Sequence, residues 1–69
     1  MNKTYIVEFD FGGHYGIPIE VKAETGEIAL NQAQGMLHSE WANIVSFEGQ
    51  SIRIKPDKVI AIRVVEEVL

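Results

Sequence analysis

No cysteine occurs in the 69-residue chain. That absence excludes the disulfide staples of small secreted domains, thiolate metal sites and any cysteine nucleophile or redox couple. Long apolar runs are missing too: charges at Lys3 and Glu8 break the opening stretch before a signal-peptide core or a spanning segment of about 20 residues could form. A cytoplasmic protein with no membrane partner is the expectation. Positive charge is scarce over residues 1–48, where Lys3 and Lys22 face seven acids for a net −5, and aromatic residues are absent after Phe47. Residues 49–69 carry a net +1, with Arg53, Lys55, Lys58 and Arg63.

What remains is 7.7 kDa with 46% hydrophobic and 23% charged residues and an overall formal charge of −4. These figures describe one domain over residues 1–69. A chain this short buries only about 60% of the surface its unfolded form exposes, so its core must be tightly packed or extended by a partner subunit. Homo-oligomerisation, with a dimer as the simplest form, is the expectation.

Residues 4–11 alternate, with Tyr5, Val7, Phe9 and Phe11 on one face and Thr4, Ile6, Glu8 and Asp10 on the other, which is the period of a strand. Gly12, Gly13 and Gly16 supply the backbone freedom for a reversal, and residues 17–24 alternate again, so the two strands form a hairpin. Pro18 cannot donate to a ladder and belongs at an edge, or where a missing N–H faces solvent. From Thr25, a plausible N-cap, the period becomes helical: Ala29, Ala33, Met36, Leu37, Trp41 and Ile44 share one arc, with Leu30 beside them. This spacing predicts a helix ending near Ala42 and Asn43, with Trp41 in the core. Gly35 inside it costs about 1 kcal/mol relative to alanine, which suggests a close approach or a kink.

Residues 44–47 and 51–55 form a second hairpin about Glu48, Gly49 and Gln50, and Pro56 with Asp57 marks another reversal. Residues 59–65 are apolar on both faces, which predicts a strand that is central or covered from outside. The order is ββαβββ, an α+β fold with one helix on one face of a small, mainly antiparallel sheet. The uncovered face should carry Thr4, Glu8, Glu20, Lys22, Arg53 and Lys55, interrupted by an apolar stripe at Ile6 and the last strand. That stripe, Ile6, Val59, Ala61 and Val65, is the candidate protein interface.

The candidates for chemistry are thin. The glycine loop lacks nucleotide-binding spacing and joins strand to strand. His38 and Glu40 stand about 200° apart on a helical wheel, so they do not form a metal pair with His14 elsewhere, and no cofactor or metal ligand set emerges. Ser39, Ser46 and Ser51 lie in no nucleophile motif. Glu8 and Asp10 share a strand face, with His14 near the loop tip, and are the one acid–base or small-ligand alternative. Arg53, Lys55, Lys58 and Arg63 are the candidate nucleic-acid contacts, although aromatic interleaving is absent from their own stretch and edge lysines commonly guard strands.

Residues 21–30, Val-Lys-Ala-Glu-Thr-Gly-Glu-Ile-Ala-Leu, take a strand ending in Ala-x-Thr into a helix opened by Glu and Ala. This junction resembles that of HicB-like antitoxin domains, over roughly residues 4–37, and similar junctions occur in small uncharacterised phage and mobile-element proteins of Gram-positive bacteria. Glu27 is separated from Ala29 where the HicB-like pattern has Glu and Ala adjacent. The resemblance implies a partner-binding, homo-oligomeric module without catalytic machinery, and no residue role is carried across. The functional expectation is a non-enzymatic protein-interaction or regulatory module that self-associates through its last strand. The alternatives are a nucleic-acid-binding accessory protein using the basic C-terminal hairpin and a small ligand binder or enzyme near Glu8, Asp10 and His14.

Overall fold

The alternation of Tyr5, Val7 and Phe9 with Thr4, Ile6, Glu8 and Asp10 produces β1 (Lys3–Asp10) in the computed structural model, which describes residues 1–68. β2 (Gly16–Ala23) pairs antiparallel with β1 in an unbroken register from Lys3 opposite Ala23 to Asp10 opposite Gly16. The reversal between them is tied by Phe11 N–H donating to the Tyr15 carbonyl at 3.1 Å and Tyr15 N–H donating to that of Gly12 at 3.2 Å. Gly12 and Gly13 turn the chain with φ of +97° and +61°, angles that side chains with a Cβ disfavour. Tyr5, Val7 and Phe9 on β1 and Ile17, Ile19, Val21 and Ala23 on β2 all point to one face, where Val7 and Phe9 are fully buried.

Thr25 caps α1 (Gly26–Gly35) by accepting the Ile28 N–H on its hydroxyl at 3.2 Å, and Glu27 lies in the first turn, at the positive end of the helix dipole. Ala29 and Ala33 are fully buried. Their small side chains let the helix lie close on the inner face of the sheet, and Leu30 packs beside them, partly buried.

The helix stops about seven residues before the expected end. Met36 and Leu37 donate their N–H groups three residues back, to Ala33 and Gln34, a tightening typical of a last turn. Ser39 then takes φ of +144°, and its hydroxyl donates to the Trp41 carbonyl. A helix cannot continue through that geometry. Trp41 and Ile44 fit the helical period by coincidence: Ile44 belongs to a strand, and Trp41 is 49% exposed instead of filling the core. Gly35 serves neither a close approach nor a kink, since a Cβ there would meet nothing within 4 Å.

β3 (Ala42–Val45) and β4 (Ser51–Ile54) form a separate two-stranded antiparallel sheet. Ser46 and Gly49 close its loop, with φ of +87° at Gly49, and the Ser46 hydroxyl accepts the Gln50 N–H at 3.1 Å. Ala42, Ile44 and Ile54 enter the same core as the helix. The inner face of the main sheet therefore has two covers, a helix and a hairpin, and Arg53 and Lys55 belong to the hairpin, away from the outer face expected for them. Phe47 N–H donates to the Pro18 carbonyl at 2.8 Å, which anchors the hairpin to β2. In an antiparallel strand a residue's N–H and C=O point to the same side, so the Pro18 nitrogen also faces away from β1 and its missing proton costs the ladder nothing.

After a single 3₁₀ turn at Pro56–Lys58, β5 (Ala61–Val68) pairs antiparallel with β1, giving the order β2-β1-β5. The central strand is thus β1. The last strand, expected in the middle or under a cover because of its two apolar faces, lies at an edge. Ile62 and Val64 pack against the core, while the register slips between Ile6 and Val7 and leaves Val65 as the extra residue of a β-bulge.

Two glycine-to-alanine changes should move stability in opposite directions in urea unfolding. Gly35→Ala gains up to about 1 kcal/mol, because the site is open and its φ lies outside the left-handed region. Gly49→Ala loses about 1 kcal/mol or more through its positive φ.

Candidate functional site

Both covers lie on the inner face, so the outer face of the main sheet meets solvent through its own side chains. Thr4, Ile6, Glu8 and Asp10 on β1 face outward with their register partners: Lys22, Glu20 and Pro18 on β2, and Val68, Glu66, Arg63 and Ala61 on β5. Arg63 is the organising charge. Its Nη2 donates to Asp10 Oδ2, and its Nε stands 3.8 Å from Glu8 Oε1. The other oxygen of Asp10 accepts the Gly12 N–H at 2.9 Å, so this carboxylate joins the turn to the sheet. Glu8 and Asp10 are thereby partnered within the fold, and His14 sits exposed in the neighbouring loop.

The expected apolar stripe divides. Ile6 is 6% exposed, in register between Glu20 and Glu66, and is a buried residue instead of an interface residue. Val59 is half-buried against the core and Ala61 is half-buried. Val65 is 50% exposed. Ile60 is 70% exposed, on the rim of a concavity of about 440 Å³ lined with Leu37, Val59 and Ile62. It precedes β5, and its N–H donates to the Asp10 carbonyl at 2.8 Å.

The four basic candidates do not form one patch. Arg63 is on the outer face, Lys58 is exposed in the 3₁₀ turn, and Arg53 and Lys55 lie on or beside β4. Arg53 donates to Asn43 Oδ1 at 3.0 Å, and Lys55 Nζ stands 5.3 Å from the centre of the Trp41 ring, within cation–π range. Val45 and Phe47 are exposed on the same hairpin, which also frames a concavity of about 430 Å³ between Asn43 and Arg53. Aromatic residues earlier in the chain are thus folded beside basic ones later in it. The signal that finds this is hairpin register, Asn43 opposite Arg53, and no linear motif carries it.

The two edges of the main sheet differ. That of β2 receives the hairpin at Pro18, whereas that of β5 pairs with no strand among the described residues. Among those residues, no group of three or more His, Asp or Glu side chains could hold a metal ion. No helix among the described residues is long and apolar enough to cross a membrane.

Compared with family models, curated proteins and solved structures, the chain matches none of them.

Arg63 is half exposed, so solvent screens its pairs and their worth is modest. Arg63→Gln should lower stability by about 0.5 kcal/mol at low ionic strength, and most of that difference should vanish in about 1 M salt. A loss that persists in salt would show that packing of the side chain, and not its charge, is what matters.

Proposed function

We propose that the protein is a non-enzymatic interaction module that self-associates through β5. The carrying observation is the open edge of this strand: eight residues that pair with no strand on the far side among the described residues, bearing the exposed Val65 and Val68 and preceded by the exposed Ile60. A free edge presents unpaired N–H and C=O groups that another strand can satisfy, and exposed apolar side chains add burial to that pairing. Val59, Ala61 and Val65 lie on or beside this edge; Ile6, buried within the subunit, takes no part. The HicB-like resemblance implies the same kind of module.

The aromatic and basic face of the β3–β4 hairpin supports a second reading, binding of single-stranded nucleic acid. Trp41 and Phe47 supply flat surfaces for base stacking, and Arg53 and Lys55 supply charge. Arg63 lies on β5, away from this hairpin, and takes no part in this reading. So few cations on a chain of net charge −4 yield little counterion release, which favours the first reading.

Sedimentation across a concentration range decides between them. The protein should shift towards a dimer by high micromolar concentration, and Val65→Lys should return it to a monomer with an unchanged circular dichroism spectrum. A strict monomer at that concentration contradicts self-association. Quenching of Trp41 fluorescence by a single-stranded oligonucleotide in low salt, lost in Arg53→Glu with Lys55→Glu, would instead favour the second reading.

A further inference from the structure

The bulge at Val65 has a consequence for how two copies can meet. On the first half of β5, Ala61 and Arg63 face outward, opposite Asp10 and Glu8; on the second half, Glu66 and Val68 face outward, opposite Ile6 and Thr4. The extra residue has changed the parity of the outward positions from odd to even. Ile62, Val64 and Glu67 face inward, opposite Phe9, Val7 and Tyr5.

We infer that a second copy of this chain pairs antiparallel along β5, about a two-fold axis between Val64 and Val65, with Arg63 opposite Glu66 of the second copy. This rests on the self-association proposed above and specifies its geometry. A two-fold axis perpendicular to the sheet keeps outer side chains opposite outer ones. The midpoint register sets Ala61 against Val68, Ile62 against Glu67 and Arg63 against Glu66, and all three pairs match faces. In a regular strand this same register would set outer residues against inner ones, so the bulge makes full-length self-pairing possible.

Charge then selects among registers. Opposite charges directly across an antiparallel pair stabilise it and like charges oppose it. Only the midpoint register brings Arg63 opposite Glu66. A slip by two residues sets Arg63 against a valine in either direction, and a slip by four in one direction sets Glu66 against Glu67. The midpoint also pairs all eight residues of β5 and places the exposed Val65 at the centre of the contact. Arg63 can serve both sides, because a guanidinium has five donors and Asp10 takes one Nη. The β2 edge is interrupted at Pro18, where the hairpin takes the outward carbonyl, whereas β5 offers an edge without such a contact among the described residues.

Disulfide trapping tests the register cleanly because the chain has no cysteine. The double variant Ala61→Cys with Val68→Cys should close two equivalent bridges between copies under mild oxidation and run as a covalent dimer. Within one strand these positions stand about 23 Å apart, too far for an internal bridge. Two control variants, Ala61→Cys with Glu66→Cys and Arg63→Cys with Val68→Cys, report registers slipped by two residues, about 7 Å, and should bridge at least about tenfold more slowly. Circular dichroism of each reduced variant checks that the fold is retained. If sedimentation gives a dimer but Ala61→Cys with Val68→Cys, which keeps both Arg63 and Glu66, does not bridge, the register is wrong and self-association stands. If the native chain stays monomeric and no variant bridges, both fall.

Discussion

The structure depends on burying one strip of side chains, Val7 and Phe9 on the central strand β1, from one side only. These two residues have no exposed surface, and they are flanked by Ile17 and Ile19 on β2 and by Ile62 and Val64 on β5. Ten residues of helix are too short to roof three strands of this length. The β3–β4 hairpin completes the roof with Ala42, Ile44 and Ile54, and the hydrogen bond from Phe47 to Pro18 holds it there. With both covers on the inner face, the outer face is left to cross-strand pairs: Arg63 between Glu8 and Asp10, and Ile6 between two glutamates.

The same arrangement treats the two sheet edges unequally. On β2, proline removes a donor and the hairpin takes the outward carbonyl, so the edge is interrupted at that position. β5 keeps its free groups but carries a bulge, an arginine and two glutamates. Such features discourage pairing with arbitrary strands. Their order along β5, positive in the first half and negative in the second, is nevertheless complementary to itself in an antiparallel sense. That combination favours one partner, a second copy, over indiscriminate aggregation.

Much of the fold was legible from the sequence. Period-two alternation located β1 and β2, three glycines located the turn between them, Thr25 marked the start of the helix, and the placement of Pro18 at an edge followed from its missing N–H. The helix end was hidden because Trp41 and Ile44 continue the helical period, and the backbone turn at Ser39 leaves no side-chain signature. The edge position of β5 was hidden for a different reason. Apolarity on both faces suggests a central strand, but Ala61 faces outward opposite Asp10 and Val65 is the unpaired residue of a bulge, and register is not written in composition. For the site, the basic cluster was contiguous in the chain but is dispersed in space, with Arg63 drawn to acids more than 50 residues earlier.

Native-state amide exchange at several protein concentrations tests most directly whether a single covered face leaves β5 open for a second copy. Amides of β1, paired on both sides within the subunit, should exchange at rates independent of concentration. The β5 amides that point away from β1 should gain protection as concentration rises, symmetrically about Val64 and Val65. Protection of those amides that stays unchanged across the whole range would contradict the account.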